Sequence, residues 1–289
     1  MPISKEAKDS LKESAKDQDK ATELITKLSE IALGEFIEAI IRRVGRMSTG
    51  ATVSNSKQAQ AQLSALRQDM LRIIRKGGFK EAVLDYLRTF PKVEAHTIYQ
   101  HKIISDLNVP KSLLKDSKQF SMQLYESLLL GDGMEARLVE PHIQRLQRAI
   151  ITGGDKGHIA AEIVDFAQGN SGVVKYSGQV AQDGLAQFEG MINQKVGDYF
   201  GLEWSIFVGS IISTTRAACK KLVAQEYIHK SELPAFINWA FRNSSGMIPG
   251  TNADNWPVFR NGYGCRHNAV PISSSLVPDS AFERVGIKR

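Results

Sequence analysis

Cysteine is scarce in this chain. Among 289 residues there are only Cys219 and Cys265. Two thiols form one bridge at most, which excludes a disulfide-dense secreted scaffold. Long apolar runs are missing too. The stretches around Ile37–Ile41 and Trp204–Ile212 are short and interrupted by polar residues or glycine, whereas a membrane helix needs about 18 or more apolar residues. The opening PISKEAKDSLKESAKD has no apolar core of the secretory type. Signatures of common chemistry are absent as well. Gly153-Gly154-Asp155-Lys156 lacks the Gly-Lys-Ser/Thr ending of a phosphate loop and follows no expected strand. No G-x-S-x-G, H-E-x-x-H or paired-carboxylate pattern occurs. These absences imply a soluble protein made in a reducing cytoplasm, with no visible catalytic motif.

What is present begins with charge. The formal net charge is +6, and residues 1–150 hold 24 of the 37 basic residues against 19 of the 31 acidic ones. The excess is sharpest in one stretch. Between Arg42 and Lys80, Arg42, Arg43, Arg46, Lys57, Arg67, Arg72, Arg75, Lys76 and Lys80 stand against Asp69 alone. Such a stretch can contact the phosphates of double-stranded DNA with a salt-dependent contribution. The competing reading is a solvated helix face. Phe79 is the only aromatic residue within it, so base stacking on single strands is poorly supported.

Hydrophobic periodicity is helical over most of the chain. Leu24, Leu28, Ile31, Phe36, Ile40 and Val44 recur near the 3.6-residue period, with Ile25, Ile37 and Ile41 widening the stripe. Residues 4–30 alternate Lys with Asp or Glu, as in an exposed helix or a frayed tail. Ser48–Ser56 is small and polar, which predicts a linker. Helices are expected near Gln58–Lys76, Lys80–Thr89, through much of 94–150, and over about 156–168 and 174–200, where Gly201 provides a stop. Beyond Gly201 the pattern turns β-branched and aromatic. Trp204–Ile212, Gln225–Ile228 and Asn268–Ile272 read as strands, around short helices capped near Thr214 and Ser231. The fold class expected is mainly α: a helical bundle followed by a small C-terminal α+β module. The expected division is a charged tail with an amphipathic helix over 1–50, a helical domain over 51–201, the module over 202–275 and an extended tail over 276–289. No internal repeat is visible.

Four residues of ligand type fall in the last third: Cys219, His229, Cys265 and His267, spaced C-x9-H-x35-C-x-H. Two thiolates and two imidazoles suffice for tetrahedral zinc, although the spacing is not that of paired zinc knuckles. Cys265 and His267, two apart, share a face on an extended chain. The competing readings are a buried cysteine on a helix with a loop-bonded histidine, and a Cys–His nucleophile pair, for which neither an oriented base nor an oxyanion hole is visible. Arg216 and Arg266 flank the cysteines, either to bind phosphate or a partner, or to brace loops through backbone carbonyls. His96, His101, His142 and His158 are scattered along helical segments.

The C-terminal pieces Trp204–Gly209, Thr214-Thr215-Arg216, Cys219, Tyr227–Leu233, Pro257–Arg260, Gly262-Tyr263-Gly264-Cys265-Arg266-His267 and Pro271 together resemble the minor head, or head-morphogenesis, proteins of tailed phages similar to the F protein of phage Mu. The resemblance covers roughly residues 120–275. It rests on the paired TTRxxC and GYGCRH blocks. Many relatives end in Cys-Arg-Cys where this chain has Cys265-Arg266-His267, and residues 1–115 carry no resemblance. It implies a structural, non-enzymatic component of the virion, in the phage head or neck, made in the bacterial host. Its partners would be the portal and major capsid proteins, with packaged double-stranded DNA and self-association also implied. Its role would lie in head morphogenesis, with packaging or ejection of DNA. In that setting Arg216, Cys219, Cys265, Arg266 and His267 are expected to brace the C-terminal module. The alternatives are a nucleic-acid-binding protein using Arg42–Lys80 and a Cys/His hydrolase or toxin-like enzyme.

Overall fold

The computed structural model describes residues 5–47, 50–53, 56–169 and 172–288. Its helices run in order as α1 (Lys5–Gly45), α2 (Lys57–Arg75), α3 (Gly78–Leu87), α4 (Phe90–Ser105) and α5 (Lys111–Leu130). The short α6 (Asp132–Met134) leads through a π-turn, Glu135–Val139, into α7 (Glu140–Thr152), followed by α8 (Lys156–Gln168) and α9 (Val173–Phe200). The last third adds α10 (Ala217–Gln225), α11 (Leu233–Asn243), α12 (Trp256–Phe259) and α13 (Asp279–Val285). Strands are β1 (Thr52–Val53), β2 (Gly154–Asp155), β3 (Trp204–Val208), β4 (Tyr227–His229) and β5 (Asn268–Ile272). The protein is thus mainly α with a small C-terminal α+β module. No described helix is long and apolar enough to cross a membrane.

The chain forms two compact units. One comprises Met1–Asp19, Thr89–Ser121 and Gln182–Arg289; the other comprises Lys20–Arg88 and Met122–Ala181. This differs from the sequential division expected from composition. The first charged segment belongs to the same unit as the C-terminal module, because α1 begins at Lys5 and its first turns bond there. Gln18 donates to Glu189 of α9 at 2.8 Å, and Tyr99 of α4 donates to Glu6.

In the second unit, α1 buries Ile25, Ser29, Ala32, Phe36, Ala39, Ile40 and Val44. Of the expected stripe, Ile25, Phe36, Ile40 and Val44 are buried, whereas Leu24, Ile31 and Ile41 are exposed. Small residues complete the buried face: Ser29, Ala32 and Ala39 lie in it, and Ser29 bonds Ser177 of α9 at 2.8 Å. The expected linker is also partly ordered. Thr52 and Val53 pair antiparallel with Asp155 and Gly154, and Lys156 donates its backbone N–H to Ala51 at 2.9 Å. Its Ser48, Thr49, Ser54 and Asn55 lie outside the described residues, as do Asn170 and Ser171 of the turn before α9.

The three-stranded sheet of the first unit has order β4-β3-β5, antiparallel throughout. Side chains alternate across it. Trp204, Ile206, Val270 and Ile272 face one core with Tyr227, Ala281 and Phe282. Phe207, Ile228 and Ala269 face the other, built with Ala218, Leu222, Phe236, Ile237, Ala240 and the fully buried Trp256. The final segment is not an extended tail. Pro278 gives way to α13, whose Phe282 ring packs 5.0 Å from that of Trp204. The apolar residues there, Ala281, Phe282 and Val285, have helical spacing, but the run is too short to read without the sheet it covers.

Candidate functional site

The site is assembled by three pieces of the C-terminal module. The first is α10, entered through Arg216 in extended conformation (φ −68°, ψ 155°). It carries Cys219 on its buried face beside Ala218 and Leu222. The second is the loop from α12 to β5, which carries Cys265 and His267. Residues 265, 267 and 269 have the same parity along an extended segment, so Cys265 and His267 arrive on the sheet face of Ala269 and Phe207. The third is the end of β3. There the His267 ring stacks on Phe207 with centroids 5.4 Å apart and planes 7° from parallel. Gly209 allows this, because a Cβ at that position would lie 2.4 Å from His267 Cδ2.

The two sulfurs are 3.9 Å apart, and both cysteines are free and buried. The donor atoms of Cys219, Cys265 and His267 all lie within 4.8 Å of one another. His267 is 5% exposed, and neither ring nitrogen has a hydrogen-bond partner among the described residues. Asn261 donates its Nδ2 to Cys219 Sγ at 3.6 Å while its Oδ1 accepts from Trp256 Nε1 at 3.3 Å. The sulfurs titrate as a pair. Cys219, donating to Cys265, has its pKa pushed up by that bond and by burial. Cys265, the acceptor, is held well below the usual thiol range by the same bond, against burial, with the His267 ring and the Arg260 guanidinium acting in the same direction.

Two arginines frame the site, and one of them went unassigned in the sequence. Arg216 donates from Nη1 to the Asn261 carbonyl at 3.0 Å and from Nη2 to the Tyr263 carbonyl. That is the loop-bracing role open to it. The second arginine is Arg260, 3% exposed, which donates to the His267 carbonyl and to Asn268 Oδ1. It holds φ 49°, ψ −127°, a conformation that favours glycine. The sequence signal for it was an arginine next to Asn261-Gly262 in a loop, which by itself reads as solvent-exposed. Arg266 instead turns outward to Asp19 at 3.6 Å, with 62% of its side chain exposed.

His229 is not part of the group. It ends β4 opposite Trp204, on the sheet face away from Phe207, and its ring lies 4.9 Å from the Trp204 ring. Its Nδ1 meets Ser231 Oγ at 2.8 Å, and its Nε2 lies 3.6 Å from Glu203. A strand's two-residue period therefore removes one of the four expected ligands from the metal set.

The basic stretch meets acid in space. Asp69, 5% exposed, is approached by Arg43 at 2.8 Å, Arg72 at 2.8 Å and Arg42 at 3.6 Å. These guanidiniums, led by the hydrogen bond from Arg43, hold its carboxyl below the usual range. Arg67 pairs with Glu135 and Glu140 at 2.6 and 2.7 Å, and Arg75 with Glu135 at 3.1 Å. Arg46, Lys76 and Lys80 are exposed. Arg42, Arg72 and Lys76 share a cleft with Glu35 and Glu38.

Comparison with protein families, with curated proteins and with solved structures finds no match to this chain.

Proposed function

We propose that this protein is a structural minor head component of a tailed phage, acting in head morphogenesis at the portal or the inner face of the capsid. One observation carries the reading. The TTRxxC and GYGCRH blocks, on which the sequence resemblance rests, meet in space: Arg216 donates to the Tyr263 carbonyl of the second block, and Cys219 touches Cys265. Sequence separated by 46 positions is thus held together for architecture. The chemistry supports structure over turnover. Both thiols are buried, and among the described residues no carboxylate bonds the His267 ring to orient it as a base. The nucleic-acid reading is weaker than the composition suggested, because Arg43, Arg67, Arg72 and Arg75 spend their charge on Asp69, Glu135 and Glu140.

The test uses virions of the phage that encodes the chain. Mass spectrometry of purified particles is expected to detect it in fewer copies than the major capsid protein, and its deletion is expected to give defective heads. Wild-type titres and intact heads after deletion, with the chain absent from virions, would overturn the reading.

A further inference from the structure

We infer that Cys219, Cys265 and His267 form a binding site for a single zinc ion. The inference is independent of the virion reading, since it rests on the donor atoms alone.

Geometry comes first. In a tetrahedron with Zn–S bonds of about 2.3 Å, two sulfurs stand about 3.8 Å apart. The observed separation is 3.9 Å. A disulfide would bring them to about 2.05 Å. The imidazole donor falls within 4.8 Å of both sulfurs, so a small rotation of the side chains completes three corners. The fourth corner is left for a small donor such as water.

The second argument is unpaired polarity. Buried polar atoms almost always have partners, and leaving one unpaired costs free energy. His267 is only 5% exposed, yet both ring nitrogens lack a hydrogen-bond partner among the described residues. The ring is also fixed. Phe207 stacks on it, Gly209 permits that approach, and Arg260 ties down the His267 carbonyl. A ring positioned this firmly, with a nitrogen within 4.8 Å of two sulfurs, fits a thiophilic divalent cation. Asn261, bonded to Cys219 Sγ and itself held by Trp256, has the place of an outer-shell residue.

Charge balance completes the case. Binding displaces the two thiol protons to solvent, and two thiolates with a neutral imidazole then offset the dication. That leaves no net charge at a buried centre, and the thiolate and imidazole donors favour zinc over hard cations such as magnesium or calcium.

The test uses the full chain, purified under reducing conditions, stripped with chelator and titrated with zinc alone or cobalt alone. One ion per chain is expected. The cobalt form is expected to show the intense visible bands of a tetrahedral ion with thiolate-to-metal charge transfer. Bound zinc is expected to shield both thiols from a thiol reagent. These readouts need no variant. His267→Gln keeps both thiols and is expected to weaken zinc by about 100-fold or more, beyond the loss of an outer-shell partner; circular dichroism checks that it folds. His229→Gln is expected to leave affinity unchanged. Less than half an ion per chain, a six-coordinate cobalt spectrum, thiols that stay reactive, or binding that survives in folded His267→Gln would each overturn the site. None of these results bears on whether the chain is found in virions.

Discussion

Buried cysteines usually act as small hydrophobes, and isolated buried histidines usually bond a backbone atom. Cys219, Cys265 and His267 depart from both habits, because the two sulfurs meet at 3.9 Å and the three donor atoms all lie within 4.8 Å of one another. Truncation should therefore be felt as loss of structure. Cys265→Ala is expected to lower stability by about 1–3 kcal/mol, read by thermal denaturation; an unchanged melting temperature would count against a bracing role. Arg260 allows a finer test. Its positive φ carries strain on the order of 1–3 kcal/mol for a side-chain residue, and its guanidinium satisfies the carbonyl of His267. Arg260→Gly and Arg260→Ala both lose the guanidinium, but only alanine keeps the strain. The glycine variant is expected to be the more stable by about 1 kcal/mol, measured as a difference in urea midpoints at equal slope. The cysteines and His267 were legible in the sequence as donor types. Arg260 was not, because nothing local distinguishes a buried arginine from a surface one.

At the scale of elements, short pieces are held by single large side chains. Helix α12 is four residues long, too short to be stable by itself. It is anchored by Trp256, fully buried against Phe207 and Phe236. Trp256→Ala is expected to cost about 3–5 kcal/mol, with loss of the near-ultraviolet circular dichroism of the module as the check. The next turn depends on Gly262 at φ 102°, where a Cβ would lie 2.0 Å from the Gly246 carbonyl oxygen. Gly262→Ala should destabilise by roughly 2 kcal/mol or more, visible as a lowered denaturation midpoint. The long helices were readable because their period repeats many times. The face of α1 is legible in part: Ile25, Phe36, Ile40 and Val44 are buried as the period predicts, but Ser29, Ala32 and Ala39 share that face and large apolar periodicity does not mark them. The pairing of β1 with β2 was not readable at all. Two residues give no period, and their partners lie about a hundred positions away.

For the whole molecule, acid is the condition most sensitive to how charges are buried. His101 is fully buried against Asn193 at 2.9 Å, and burial lowers its pKa from 6.5 to about 4. The unfolded chain therefore binds this proton first. The stability tied to the neutral ring is complete above pH about 6.5 and is lost as pH falls toward 4, by on the order of 3 kcal/mol. Asp69 acts in a lower window. Its pKa is depressed below 3.8, chiefly by Arg43, so its contribution is complete above the ordinary carboxylate range and declines once pH falls through the folded value. Denaturant titrations from pH 7 to 4 are expected to show a steady loss that His101→Gln reduces. An equal slope in that variant would show that another group carries the effect.

Composition, period and residue type determined a mainly helical chain, the change of character after Gly201, and donor residues gathered in the last third. These are local properties, set by side-chain spacing and chemistry that each segment carries with it. Only the tertiary structure decided which donors meet. The alternation of the sheet sent His229 to one face and His267 to the other. The crossing of α10 with the loop before β5 brought two cysteines 46 positions apart to within 3.9 Å. In the second unit, the packing of α2 against the π-turn and α7 offsets the positive charge, since it sets Glu135 and Glu140, remote in sequence, beside Arg67, and Glu135 beside Arg75. Contacts of that range depend on loop closure and on packing shape, and no short window of sequence contains either.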